Sequence, residues 1–284
     1  MNDVCLWFYG VRGSYPVPDK SVIKYGGNTS SILIKNDEHS IIFDAGTGII
    51  NIGNHLEVNG NPKAKIDIFL THLHLDHIQG LPFFNPLFDS QYEINLYCPD
   101  YQDIQVESVI YSLFNDPISP ISNNGIKAKF KIIRLPLVNE KTIIIGQKIM
   151  IDYKKEDSHP LSGVLLYKLG VNNKYLVYAT DVESPDGFGE DVVEFVRESN
   201  ILIHDSQYFN SDYYDPDNSK IGFGHSTYSM AVQNALTCKV EKLFLFHYDP
   251  DYSDFKLKKM LKKARQGFKQ TFLAREIKKI SLRS

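Results

Sequence analysis

The stretch 71–80, THLHLDHIQG, places His72, His74, Asp76 and His77 within six positions, directly after the apolar run KIDIFL at 65–70. A strand that ends in such a cluster offers imidazole and carboxylate donors from a rigid base. His72 and His74 are two residues apart, so in extended chain they face the same side. Asp76 and His77 follow as the chain turns into HIQGLPFF, which reads as helical. That bend aims one pair at one metal ion and the next pair at another. Imidazole together with carboxylate suits zinc, iron or manganese. A polar surface loop is the ordinary explanation of a single histidine, whereas four donor-type side chains in six positions favour a dinuclear centre.

Outward from this stretch, short apolar runs bounded by Gly, Asn or Asp read as strands: VCLWFYG, SSILIK, SIIFDAG, KIDIFLTH and YEINLYC. The run 100–114 has Ile104, Val106, Val109, Ile110 and Leu113 at close to helical spacing. The second half repeats the texture. IKAKFKIIRL, TIIIGQKIMIDY, GVLLYKLG, KYLVYATD, NILIHD and KLFLFHYD read as strands, and DVVEFVRES and STYSMAVQNALTC as helices, the latter capped by Ser226 or Thr227. From Ser253, Leu257, Met260, Leu261, Ala264 and Phe268 fall on one face with lysines opposite, which predicts an amphipathic helix over about 253–272. Strands with helices at intervals suggest two sheets covered by helices. The polar clusters recur where strands end.

The chain has 284 residues, 43% of them hydrophobic, enough for a real core in one large domain. Its net charge of −3 excludes a general binder of polyanions. Residues 255–284 nevertheless carry eleven Lys or Arg against one acid, a basic segment on an acidic body. Such a segment steers a small anion or is a solvated helix face. Cys5, Cys98 and Cys238 are odd in number and unpaired in spacing, as in reduced thiols. The N-terminus has no basic leader, and no run reaches the ~18 apolar residues of a membrane span. A cytoplasmic protein with no membrane partner is expected.

HLHLDH resembles the HxHxDH signature of the metallo-β-lactamase superfamily. One further stretch of that family precedes it, FDAGTG with Asp44, and three follow in order: DSHP with His159, YATD with Asp181 and LFHYDPDYSD with His247. Taken singly, Asp44 reads as a turn residue, His159 as a loop residue and Asp181 as a cap; their joint order is what carries the resemblance. The resemblance implies an α+β fold, a four-layer αββα sandwich of two mixed β-sheets flanked by helices, formed by a single domain over 1–284. Residues 83–134 would be a variable cover over the site. It implies two divalent ions, zinc by default, with manganese or iron as alternatives. His72, His74 and His159 would hold one ion, Asp76, His77 and His247 the other, and Asp181 would bridge them. Asp44 would lie behind the donors and orient one of them.

Several features narrow the branch. His74 stands where an oxygen-reducing flavo-diiron branch has Glu. GFGHST, with His225, Ser226 and Thr227, resembles the HST motif of ribonuclease Z and related phosphodiesterases, and LIHDSQYF resembles its companion motif, with Asp205 where that branch has Glu. GVRGSYPVP and YGGNTSSILI resemble the start of cyclic-nucleotide-phosphodiesterase-like hydrolases. The implied reaction is attack of a metal-bound hydroxide on phosphorus, with Asp76, His225 and Asp205 as catalytic residues. His225 would serve the leaving oxygen and Asp205 would hold its ring. Arg12, Asn28, Thr29 and Ser226 are candidate substrate contacts, although Arg12 also fits a Gly-rich turn. The expected substrate is a small anionic phosphodiester such as a cyclic nucleotide, and a homodimer is compatible with the resemblance. The alternatives are an RNA-processing phosphodiesterase, a hydrolase of carboxylic esters, thioesters or lactones, and a non-catalytic metal-binding protein.

Overall fold

The runs bounded by Gly, Asn and Asp are strands in the computed structural model, which describes residues 4–282 apart from 37–38, 60–64, 121, 139–140, 146–148, 161–162 and 172. The chain divides into two compact units. The first comprises residues 1–16, 28–137 and 275–283, and the second 17–27 and 138–274.

In the first unit the strands are β1 (Cys5–Gly10), β2 (Ser31–Lys35), β3 (His39–Phe43), β4 (Lys65–Phe69), β5 (Glu93–Asp100) and β6 (Lys129–Pro136). With the C-terminal strand Lys279–Ser281 beside β1 they form a seven-stranded sheet in that order. The edge from the C-terminal strand to β3 is antiparallel, and β3 to β6 are parallel. Helices α1 (Gly48–Asn59), α2 (Leu75–Ile78) and α3 (Val106–Ser112) belong to the same unit. Parallel neighbours need a crossover between them, and α1 supplies the one from β3 to β4. Its Ile49, Ile52 and Leu56 recur on one face and join Leu33, Ile42, Ile68, Ile94 and Leu96 in a buried core. Residues 83–134, expected as a cover, contain β5, α3 and most of β6.

The second unit has β7 (Lys141–Ile145), β8 (Ile149–Glu156), β9 (Val164–Val171), β10 (Lys174–Ala179), β11 (Ile201–Asp205), β12 (Lys242–Phe246) and β13 (Thr271–Leu273). These form its own seven-stranded sheet, antiparallel from β7 to β10 and parallel from β10 to β13. The run 142–153 is thus β7 and the start of β8, with residues 146–148 outside the described residues. Helices α4 (Glu190–Val196), α5 (Asn210–Tyr213), α6 (Tyr228–Thr237) and α7 (Asp254–Gly267) complete it. α7 buries Leu257, Met260 and Ala264 and packs on α6, while Leu261 is only half-buried. It stops at Gly267, short of the expected 272. Phe268 turns extended, Thr271 Oγ1 donates to its carbonyl at 2.6 Å, and 271–273 is drawn into the sheet beside β12. Thr227, not Ser226, caps α6 by accepting from Met230 N–H.

The sheet directions explain where polar residues gather. Asp44 and the stretch from Thr71 follow the C-terminal ends of the parallel neighbours β3 and β4. In the second unit Asp181, Asp205 and His247 stand at the C-terminal ends of the parallel β10, β11 and β12. β8 runs in the same direction as β10, since β9 is antiparallel to both, so His159 leaves the sheet at that edge too. The carboxyl ends of parallel strands are the usual place for a ligand site in such sheets.

Candidate active site

Three of these strand-end residues share an unusual backbone. Asp44, Asp181 and His247 have φ of 59°, 56° and 59°. A non-glycine residue pays for this left-handed conformation, and such positions concentrate at functional sites.

In the first unit Asp44 is fully buried and acts as a hub. Its Oδ1 accepts from Thr71 N–H at 2.8 Å and from Thr71 Oγ1 at 3.0 Å, and its Oδ2 accepts from His77 Nδ1 at 2.8 Å. Because the Thr71 hydroxyl proton goes to Asp44, Thr71 Oγ1 accepts from His72 Nδ1, 3.0 Å away. One carboxylate thereby fixes both rings, and in each the nitrogen turned to other duties is Nε2. The rings lie close: His72 is 4.4 Å from His74 and 4.2 Å from His77 by centroid. Asp76 is buried, and its Oδ2 accepts Ser14 N–H at 2.7 Å. Three imidazoles and a carboxylate crowded at a largely buried strand end are costly for a protein unless they are paired or hold a cation. Their chemistry fits a borderline divalent metal.

The second unit holds Asp181, Asp205, His225 and His247 with candidate ligand atoms within 4.8 Å of one another. The β11–β12 register pairs Asp205 with Phe246, which puts His247 one step beyond. His247 Nδ1 donates to Gln207 Oε1 at 3.0 Å, and its Nε2 lies 3.4 Å from Asp181 Oδ1. His225 Nδ1 donates to Asp205 Oδ2 at 2.8 Å and its ring stacks on His247 at 4.9 Å and 20°. His159 Nδ1 donates to the Gly224 carbonyl at 2.9 Å. Here too each histidine is oriented through Nδ1.

The four candidate substrate contacts are placed differently. Arg12, Thr29 and Ser226 are 0% exposed. Ser226 Oγ donates to the Val182 carbonyl at 2.7 Å, and Thr29 Oγ1 accepts from Thr47 N–H at 2.8 Å. Asn28 gives its backbone and side-chain N–H groups to Glu276 at 2.7 and 2.9 Å. Burial raises the Glu276 carboxyl above the usual range, opposed by those two bonds. These contacts tie loops together inside their own units. Thr71, Gln207 and Glu183, which this geometry brings forward, were not singled out from the sequence. Thr71 and Gln207 were visible only as neighbours of motif residues.

The family described as "Beta-lactamase superfamily domain" matches residues 39–248. Ribonuclease Z of Thermoplasma acidophilum is 23% identical over 313 aligned positions, covering 97% of this chain and 95% of that protein. Among solved structures, the metallo-β-lactamase fold protein YhfI of Bacillus subtilis superposes with a TM-score of 0.71 at 16% identity, covering 99% of this chain and all of that one. The short form of human tRNase Z gives 0.69 at 18% identity, with 99% and 100% covered. These likenesses show the α+β sandwich of two mixed sheets flanked by helices.

Proposed function

The chain belongs to the beta-lactamase superfamily, and from that membership we propose that its strand-end donors serve one dinuclear centre that hydrolyses a small phosphodiester such as a cyclic nucleotide. It is a metal-dependent hydrolase of the phosphodiesterase branch. In this reading His72, His74 and His159 would hold one divalent ion, Asp76, His77 and His247 would hold a second, and Asp181 would serve both, with zinc the ion that suits the donor set. Bound divalent metal supplies Lewis acidity towards phosphate oxygens and lowers the pKa of water towards ~7.

The chain's own residues do the rest. Asp44 and Thr71 hold His72 and His77, and Gln207 holds His247, so that Nε2 is the nitrogen presented. Asp205 Oδ2 accepts the Nδ1–H of His225 and fixes its ring, which leaves Nε2 as the nitrogen to serve the departing oxygen. This pair, at 2.8 Å, is the observation that carries the phosphodiester reading over a carboxylic ester, thioester or lactone. The thiolate of a thioester leaves without protonation, whereas an alkoxide leaving phosphorus is helped by a histidine held in this manner. A non-catalytic binding protein has no use for it either. Among the described residues no helix is long and apolar enough to cross a membrane.

A second reading, cleavage of RNA, is favoured by the likeness to ribonuclease Z over nearly the whole chain. The deciding experiment measures hydrolysis of bis(p-nitrophenyl) phosphate beside p-nitrophenyl acetate, with chelator and Asp181→Ala as controls, followed by cyclic nucleotides and a tRNA precursor. Turnover of the phosphodiester that chelator and variant both abolish supports the reading. Acetate hydrolysis alone by metal-loaded protein sinks it. Preference for the precursor over every cyclic nucleotide selects the RNA reading.

A further inference from the structure

Glu183, two residues past Asp181, has no place in the reaction as described. Its carboxylate nonetheless accepts two backbone amides of one loop, Gly222 N–H at Oε1 and Gly224 N–H at Oε2, each at 2.7 Å. Tyr213 OH donates to the same Oε1, and Glu183 N–H donates to Ser158 Oγ at 3.1 Å. Burial first, then the Glu183 carboxylate, pushes the Tyr213 phenol up, so it stays a donor.

The two glycines have φ of 83° and 84°, a conformation that turns alternate N–H groups toward one point. Such a concave set of amides binds anions, and here the anion is internal. Ile221 and Phe223 are more than half exposed, so this loop buries little apolar surface of its own. Charge-assisted hydrogen bonds must hold it in place.

What hangs on the loop is specific. Gly224 O accepts from His159 Nδ1, and a Cβ at Gly224 would lie 2.2 Å from that nitrogen. The residue after Gly224 is His225. Ser158, the partner of Glu183 N–H, precedes His159. Glu183 thus fixes the neighbours of both histidines from one carboxyl group.

We propose that Glu183 is a positioning residue that clamps the 222–225 loop and, through Gly224 and Ser158, sets the ring of His159 and the approach of His225. The proposal rests on the assignment of His159 as a metal donor and His225 as a proton donor.

The test is Glu183→Gln, which keeps the shape but offers one acceptor oxygen to two amides. Amide hydrogen exchange is followed in the metal-free protein, zinc affinity by competition with a chromophoric chelator, and turnover on bis(p-nitrophenyl) phosphate. Exchange at residues 221–225 should accelerate on the order of tenfold, the size expected for loss of a hydrogen bond to a charged group, while β10 to β12 keep their protection. Zinc affinity should fall about tenfold, the lower end of the effect of disturbing a ligand's outer partner. Unchanged exchange, or faster exchange with unchanged zinc affinity, overturns the proposal. Should Glu183→Gln fail to fold, Gly222→Ala takes its place, because a Cβ there meets nothing within 4 Å and only the backbone is strained. Unchanged loop exchange and zinc affinity in that variant overturn the proposal equally. Exchange and zinc affinity need no turnover, so a protein inert towards phosphodiesters still decides the role of Glu183.

Discussion

Asp205 Oδ2 accepts the Nδ1 proton of His225 at 2.8 Å while the same carboxylate takes the backbone N–H groups of Asp181, Gln207 and Ser226 at 3.0–3.1 Å. A carboxylate with four donors is fixed in every direction, and the ring it holds is fixed with it. The shorter Asp side chain, in place of the Glu of the related motif, reaches His225 because it sits on the last residue of β11. The Asp205–His225 pair is therefore anchored to β11.

His225→Ala should lower kcat by ~10²–10⁴-fold, the range for loss of a positioned general acid. Metal content, read by elemental analysis, should stay near two ions per chain. Loss of metal with activity would make His225 a ligand instead.

Asp44→Asn should weaken metal binding by about 10–100-fold. The amide cannot accept from Thr71 and His77 as the carboxylate does, so both rings lose their fixed tautomer. Isothermal titration with zinc checks this, and an unchanged affinity would remove Asp44 from the donors' support.

Gly224→Ala should cost about 1–2 kcal/mol from left-handed backbone alone, with an added clash against His159. The thermal midpoint should fall, and zinc affinity should fall with it. A lower midpoint with normal affinity would show the His159 ring to be more forgiving than its contact distance suggests.

Metal removal should lower the thermal midpoint. Burying histidines and carboxylates together is tolerated best when a cation joins them, and saturating metal at 1,000 times its Kd contributes about 4 kcal/mol. Melts with and without chelator, repeated on Asp181→Ala, measure this; equal midpoints would argue against a resident ion.

Asp67 gives a pH-dependent term outside the site. Burial raises its carboxyl above the usual range, opposed by the bond from Asn95 Nδ2 at 2.9 Å. A raised folded pKa contributes stability that is fully present below the unfolded value and is lost as pH rises through the folded one. Asp67→Asn removes that loss, so its stability relative to the native chain should improve between pH 4 and pH 7. Denaturant melts at the two pH values test the sign.

Much of this was legible in the sequence. Strands such as KIDIF and KLFLF declare themselves by burial-prone runs between turn residues, and donors placed just after them follow from strand direction. α1 was not legible. GIINIGNHLEVN contains two glycines and three asparagines, poor helix formers, and only packing of Ile49, Ile52 and Leu56 holds it. The short β13 was read as helix because Phe268 continues the amphipathic period, while strand pairing with β12 overrides it. Arg12 reads as a phosphate contact or as part of a Gly-rich turn, and its full burial is not announced by either reading. The Glu183 clamp joins residues about forty positions apart, and no local pattern announces such a contact.

The left-handed backbones of Asp44, Asp181 and His247 have a further consequence. At each of these α-carbons glycine would be the more comfortable residue. Selection for folding alone would therefore erode the donors, whereas selection for chemistry keeps them against a standing conformational tension. A library screened for thermal resistance in the presence of chelator should accumulate glycine at Asp181, whereas one screened for turnover with metal should not. The three strand ends record a conflict between durability and reactivity, written into single torsion angles.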